Sequence, residues 1–157
     1  MSERLLVAVF ATPVASFLLR YGKDLGYKVV LFEPDGARVT DVEDGLDALT
    51  TVPDLGPDAD VVVTDHDRPE LGEVLKAVLD RPTRWVGVLG NPRHAGPHVA
   101  ALKALDVPDT EIARVHRPVG LNIGSRTPPE IAVATLAGLL ADRNGRPGGF
   151  DFPPPGV

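Results

Sequence analysis

Polar side chains in this sequence gather in four short segments, each after an apolar run or just ahead of a helical pattern. The first is Phe10-Ala11-Thr12-Pro13-Val14-Ala15. A dinucleotide-binding turn here would carry glycines, so that backbone amides could approach a pyrophosphate. This turn has none, and Pro13 lacks an amide proton. It still offers a helix N-terminus whose positive end favours an anion, the Thr12 hydroxyl, and Glu33 about twenty residues on, where an acid can hold a ribose hydroxyl. The competing reading is a capped helix and a surface carboxylate. The second segment is Thr64-Asp65-His66-Asp67. Two carboxylates around His66 could tune an imidazole for proton transfer or for donation to a ligand; the alternative is a polar turn that caps a helix.

The third segment, Val86-Gly87-Val88-Leu89-Gly90-Asn91-Pro92-Arg93-His94, ends an apolar run. Gly90 permits close backbone approach by a ligand, Asn91 follows it, and Arg93 suits phosphate in a forked geometry. A turn with an exposed arginine is the plainer reading. Gly96-Pro97 lies between His94 and His98, which argues against a helical metal pair and for surface histidines; no metal site is expected. The fourth segment runs from Pro118 to Thr127 and holds Gly120, Asn122, Gly124, Ser125, Arg126 and Thr127. It is the densest polar cluster in the chain and leads into a helix start, a natural place for an anion. Its glycines could instead serve unusual backbone angles alone.

The elements that must position these segments alternate. Leu5 to Phe10 reads as a strand, Val14 to Leu25 as a helix stopped by Gly26, and Val29 to Phe32 as a second strand. Residues 34–58 read as a loop, with a short strand near Val39 and a short helix near Leu46 to Leu49. Strands follow at Ala59 to Thr64 and Arg84 to Leu89, and helices at Pro69 to Leu79, up to Leu105, and at Pro108 to Ala113. Thr127-Pro128-Pro129-Glu130 is a capping sequence, and a helix runs from it to about Asp142. The pattern predicts an α/β fold, a Rossmann-like three-layer α/β/α sandwich on a mostly parallel, doubly wound sheet. One domain over residues 1–144 is expected, followed by a Pro- and Gly-rich tail, 145–157, extended or disordered.

The 157 residues are one ordinary domain's worth, 43% hydrophobic and 5% aromatic, so Val, Leu, Ile and Ala must build the core. The chain has no cysteine, which excludes disulfides, thiolate metal sites and a cysteine nucleophile. It fits a reducing compartment, and a cytoplasmic location is expected. A formal net charge of −6 argues against nonspecific nucleic-acid binding. No apolar run approaches the ~18 residues of a membrane span.

Taken in order, the last three segments resemble the XdhC/CoxI family of molybdenum hydroxylase accessory proteins. VVVTDHD is similar to the family's T-H-D turn, WVGVLGNPR to its glycine-bearing Y-I-G-L-I-G-S-R-R, and PVGLNIGSRTPPEIAV to its P-I-G-L-D-I-G-x-x-T-P-E-E-I-A-x-S. The resemblance implies a Rossmann fold and a role in maturing xanthine or carbon monoxide dehydrogenases, by binding the molybdenum cofactor and assisting its insertion. It gives His66, Gly90, Arg93, Gly120, Asn122 and Gly124 a pocket role, and sets Glu33 where the family has an acid. Departures are FATPVA in place of G-A-G-H-V-A, Asp35 where arginine is usual, and Asn91 and Pro92 in the G-S-R-R turn. The family's cysteine-bearing N-terminal domain is not represented, so a separate protein supplying it is an expected partner, beside the hydroxylase apoenzyme; a homodimer is a further expectation.

The leading expectation is therefore a noncatalytic accessory protein. Arg93, Arg126 and the helix N-terminus at Thr127 would hold a phosphate, and Asn122 and His66 would make directional hydrogen bonds. Molybdopterin is the expected cofactor, with NAD(P) disfavoured by the missing glycine loop. An NAD(P)-dependent oxidoreductase and a Rossmann domain kept only for protein contacts are the alternatives.

Overall fold

The computed structural model describes residues 3–41, 46–90, 96–152 and 154–155. Among the described residues six strands form one sheet: β1 (Leu5–Val9), β2 (Lys28–Phe32), β3 (Ala48–Leu49), β4 (Ala59–Val63), β5 (Trp85–Val88) and β6 (Val115–His116). Their order is β3-β2-β1-β4-β5-β6, and every neighbouring pair is parallel. Val7 stands opposite Val30 on one side and Val61 on the other, and Val61 opposite Val86. The strands are buried on both faces and so are almost wholly apolar. Strand order reverses between β1 and β4, which places the ligand crevice at the carboxyl ends of those strands.

Among the described residues five α-helices cover the sheet: α1 (Pro13–Asp24), α2 (Leu71–Leu79), α3 (Pro97–Ala104), α4 (Asp109–Ile112) and α5 (Pro128–Arg143). Val7, Val61, Val63 and Val86 pack with Leu71, Val74, Leu75 and Val78 of α2, Leu102 of α3 and Ile112 of α4. Leu6 and Val62 point the other way, against Leu18 of α1 and Ala132, Leu136 and Leu139 of α5. Each such buried Leu or Val stabilises by about 1.5–3 kcal/mol. The period-2 alternation along each strand thus sends successive residues to opposite helical layers.

The far end of α5 is fastened by charge. Asp60 of β4 is fully buried and accepts from Arg84 at 2.6 Å and Arg143 at 2.9 Å. Arg143 also donates to the Asp58 carbonyl at 2.7 Å, and Arg84 to Asp142 at 2.7 Å. Removing one partner of such a buried pair costs about 3–5 kcal/mol. The pairing fixes the helix whose other end carries the loop at 118–127.

Two sequence expectations are corrected. The strand expected near Val39 is a 3₁₀ helix, Gly36–Asp41, and the helix expected near Leu46 to Leu49 is strand β3. The Asp35 carboxylate accepts from the Ala37 amide at 3.1 Å, a local turn that winds the chain. Ala48 and Leu49 are drawn into extension by pairing with Leu31 and Phe32, a tertiary contact that overrides local preference. The pattern also missed β6, two residues at the sheet edge beside Val86 and Gly87. α5 ends at Arg143, and the described residues beyond Asn144 are exposed.

Candidate functional site

A cavity of about 680 Å³ opens at the carboxyl ends of β4 and β5. Its wall is built from Thr64 and His66 after β4, Leu89 and Gly90 after β5, and the loop from Pro118 to Ser125, with Val14 and Ile131 from α1 and α5. Of the expected site residues, His66, Gly90, Gly120, Asn122, Gly124 and Ser125 therefore share one space. Asn91, Arg93 and His94 lie outside the described residues.

The loop owes its shape to two left-handed glycines. Gly120 has φ +90°, and a Cβ there would sit 3.1 Å from the Ala134 carbonyl carbon and the Thr135 amide nitrogen of α5. Gly124 has φ +70° and open space where a side chain would be. The Leu121 amide donates to Ala134 and the Ile123 amide to Leu121. Among the described residues the amides of Asn122, Gly124 and Ser125 donate to nothing, leaving three exposed-loop donors at the cavity.

The start of α5 behaves otherwise than expected. Pro128 and Pro129 have no amide proton. The Glu130 amide donates to the Thr127 hydroxyl at 3.4 Å, and the Glu130 carboxylate accepts from the Arg126 amide at 3.2 Å. This reciprocal cap satisfies the helix end and sets a negative charge on it. Arg126 and Thr127 do not line the cavity. The phosphate role expected for the α5 N-terminus is corrected accordingly, because its donors are absent or spent and a carboxylate is already there.

His66 is held by its Nδ1, 3.2 Å from the Leu89 carbonyl. The carbonyl can only accept, so Nδ1 is the donor in this contact. Nε2 also lies 3.5 Å from the exposed Asp67 carboxylate. Behind Gly90 stands Arg117, which sequence reasoning did not single out: a Cβ on Gly90 would collide with its guanidinium. His98, expected at the surface, is instead buried, with Nδ1 unpartnered among the described residues. Burial, and then the Arg117 charge, hold its pKa below the ordinary histidine value.

On the other side of β1 the expected nucleotide contacts are taken by the chain itself. Phe10 adopts φ +74° and is fully buried. A left-handed non-glycine residue costs about 1–2 kcal/mol, offset by burial of the ring and by the Arg68 guanidinium 4.3 Å above it. Glu33, expected to face a ribose, is 0% exposed. Its two oxygens accept from Arg68 at 2.8 Å each, from the Ala11 amide at 3.0 Å and from the Asp35 amide at 2.8 Å. Arg68 also reaches Glu70 at 2.6 Å. Burial raises the Glu33 pKa, but Arg68 and the two amides outweigh it and hold the carboxyl below its ordinary value. Thr12 is likewise engaged: it caps the Ala15 amide at 3.1 Å and donates to Thr64 at 2.8 Å. Glu33 and Thr12 are thus corrected from ligand contacts to internal ones. The signal for Arg68 was weak, one basic residue in Asp67-Arg68-Pro69 that pairs 35 residues away.

The family model for the XdhC Rossmann domain matches residues 6–139, a span that includes both cavity turns and the closed β1–α1 turn. This chain belongs to the XdhC Rossmann-domain family. The XdhC match agrees with the all-parallel sheet described above. Over 101 residues the chain is 36% identical to the uncharacterized protein YqeB of Escherichia coli, covering 64% of this chain and 18% of YqeB. A structure described as a xanthine dehydrogenase from Bacillus halodurans superposes with a TM-score of 0.70 at 22% identity, over 92% of this chain and 44% of that one. The XdhC domain thus spans less than half the length of either relative. No helix among the described residues is long and apolar enough to cross a membrane.

Proposed function

We propose that this XdhC domain is an accessory module for a molybdenum hydroxylase of the xanthine or carbon monoxide dehydrogenase type. It holds the molybdenum cofactor, or a related phosphate-bearing ligand, and assists its insertion into the apoenzyme. The observation that carries this reading is the meeting of two glycine-bearing turns, at Leu89–Gly90 and Pro118–Ser125, on one cavity with His66. A volume of about 680 Å³ lies in the range of small-molecule sites. Apolar walls from Leu89, Val119 and Leu121 suit the faces of a flat heterocycle. The Asn122 side chain and His66 supply directional partners for its edges. The unengaged amides of Asn122, Gly124 and Ser125 suit a phosphate, with Gly124 leaving room for close approach.

The bound group would supply the redox centre of the client enzyme; the chain's own part is to bind and orient it. A cytoplasmic site of action and an apoenzyme partner belong to the same proposal. The test is thermal. Molybdopterin should raise the melting temperature, because it binds only the folded state. Gly124 has open space where a side chain would be, so Gly124→Asp should cost the unliganded protein only the about 1–2 kcal/mol of a left-handed non-glycine residue. It should nonetheless abolish the molybdopterin shift, by placing a carboxylate where the phosphate approaches. An undiminished shift in Gly124→Asp, or none in wild type, overturns the assignment.

A further inference from the structure

A Rossmann sheet holds a dinucleotide across its switch point, one half on each side. Here the switch lies between β1 and β4. Among the described residues that line the cavity, none comes from β2, β3 or the 3₁₀ helix between them. Two groups that the β1–β2 side would offer a nucleotide are already bonded. The Ala11 amide, which would meet a pyrophosphate, donates to Glu33. The Glu33 carboxylate, which would meet a ribose, is gripped by both terminal nitrogens of Arg68. The Phe10 ring fills the turn beneath that guanidinium. Admitting a nucleotide would mean uncovering a wholly buried carboxylate and drawing its counter-charge away, which is strongly unfavourable.

From this we infer that the domain selects its ligand by form: the cavity takes a heterocycle bearing a single phosphate and rejects one extended by a nucleotide arm. Phe10, Arg68 and Glu33 are the specificity-determining residues. The class of ligand rests on the proposed function above. The closure of the nucleotide side does not.

The experiment is titration calorimetry on the full chain with molybdopterin, molybdopterin cytosine dinucleotide, AMP and NAD. Molybdopterin should bind about tenfold or more tightly than its dinucleotide, with AMP and NAD silent to about 1 mM. AMP binding should appear in the Phe10→Gly/Arg68→Ala double variant. Where that variant does not fold by circular dichroism, Phe10→Gly alone, which keeps the ion pair, is read in its place. A dinucleotide that binds as tightly as molybdopterin overturns the inference, as does AMP or NAD binding to wild type. If neither pterin binds, the proposed function fails and AMP alone decides this inference. Silence on wild type with binding to the opened variant upholds it, and silence on both overturns the role given to Phe10 and Arg68.

Discussion

The two sides of the crevice begin with the same backbone device and end differently. After β1 the chain turns through Phe10 at φ +74°, and ahead of α5 through Gly120 at φ +90°. On the first side a ring fills the turn, a guanidinium covers the ring, and a buried carboxylate fixes the guanidinium. On the second the turn is bare, the amides of Asn122, Gly124 and Ser125 have no acceptor among the described residues, and a cavity remains. A positive φ therefore does not by itself make a binding turn. The side chain carried there decides whether the strand ends open or are sealed.

Breaking the sealed side should have the largest effect. Arg68→Ala leaves Glu33 buried without its counter-charge, and urea denaturation should show a loss of about 3–5 kcal/mol. A loss under about 1 kcal/mol would mean that Glu33 finds water or a proton easily, and the side would not be sealed. On the open side, Gly120→Ala should cost less, about 1–2 kcal/mol from the left-handed backbone, with some addition from crowding against α5. Equal losses at Arg68 and Gly120 would erase the contrast.

The smallest effect is in pH, and it separates the two sides. His98 behind the open turn and Glu33 in the sealed one both have folded pKa values below their ordinary values, near 6.5 and 4.5. In both cases the unfolded chain binds more protons, so stability is lost as pH falls. The His98 contribution is present in full above about pH 6.5 and lost through its lowered folded value; that of Glu33 is present above about 4.5 and lost below it. Melting curves across pH should show two successive declines. His98→Leu should remove the first and Glu33→Gln the second.

Much of the fold was readable in the residues. The apolar runs at Leu5, Val29, Ala59 and Trp85, and the Thr127-Pro128-Pro129-Glu130 cap, appear as strands and a capped helix because each depends on neighbours within a few positions. The extended form of Ala48 and Leu49 is not legible locally, because it depends on a pairing with β2. At the site, His66, Gly90, Gly120, Asn122, Gly124 and Ser125 were all named from sequence and share the cavity. Thr12, Glu33, Arg126 and Thr127 were named too, but their polar atoms are committed within the fold or, for the Arg126 side chain, lie off the cavity wall.

Sequence alone determined the alternating elements, the parallel α/β class and which polar segments end strands, since hydrophobic period and capping are short-range. Tertiary structure alone decided which of those segments still has hydrogen-bonding capacity to offer. Arg68 meets Glu33 across 35 residues, and Thr12 meets Thr64 across 52. Nothing local records such meetings, because chain spacing says where a donor sits and only packing says whether its acceptor has already arrived.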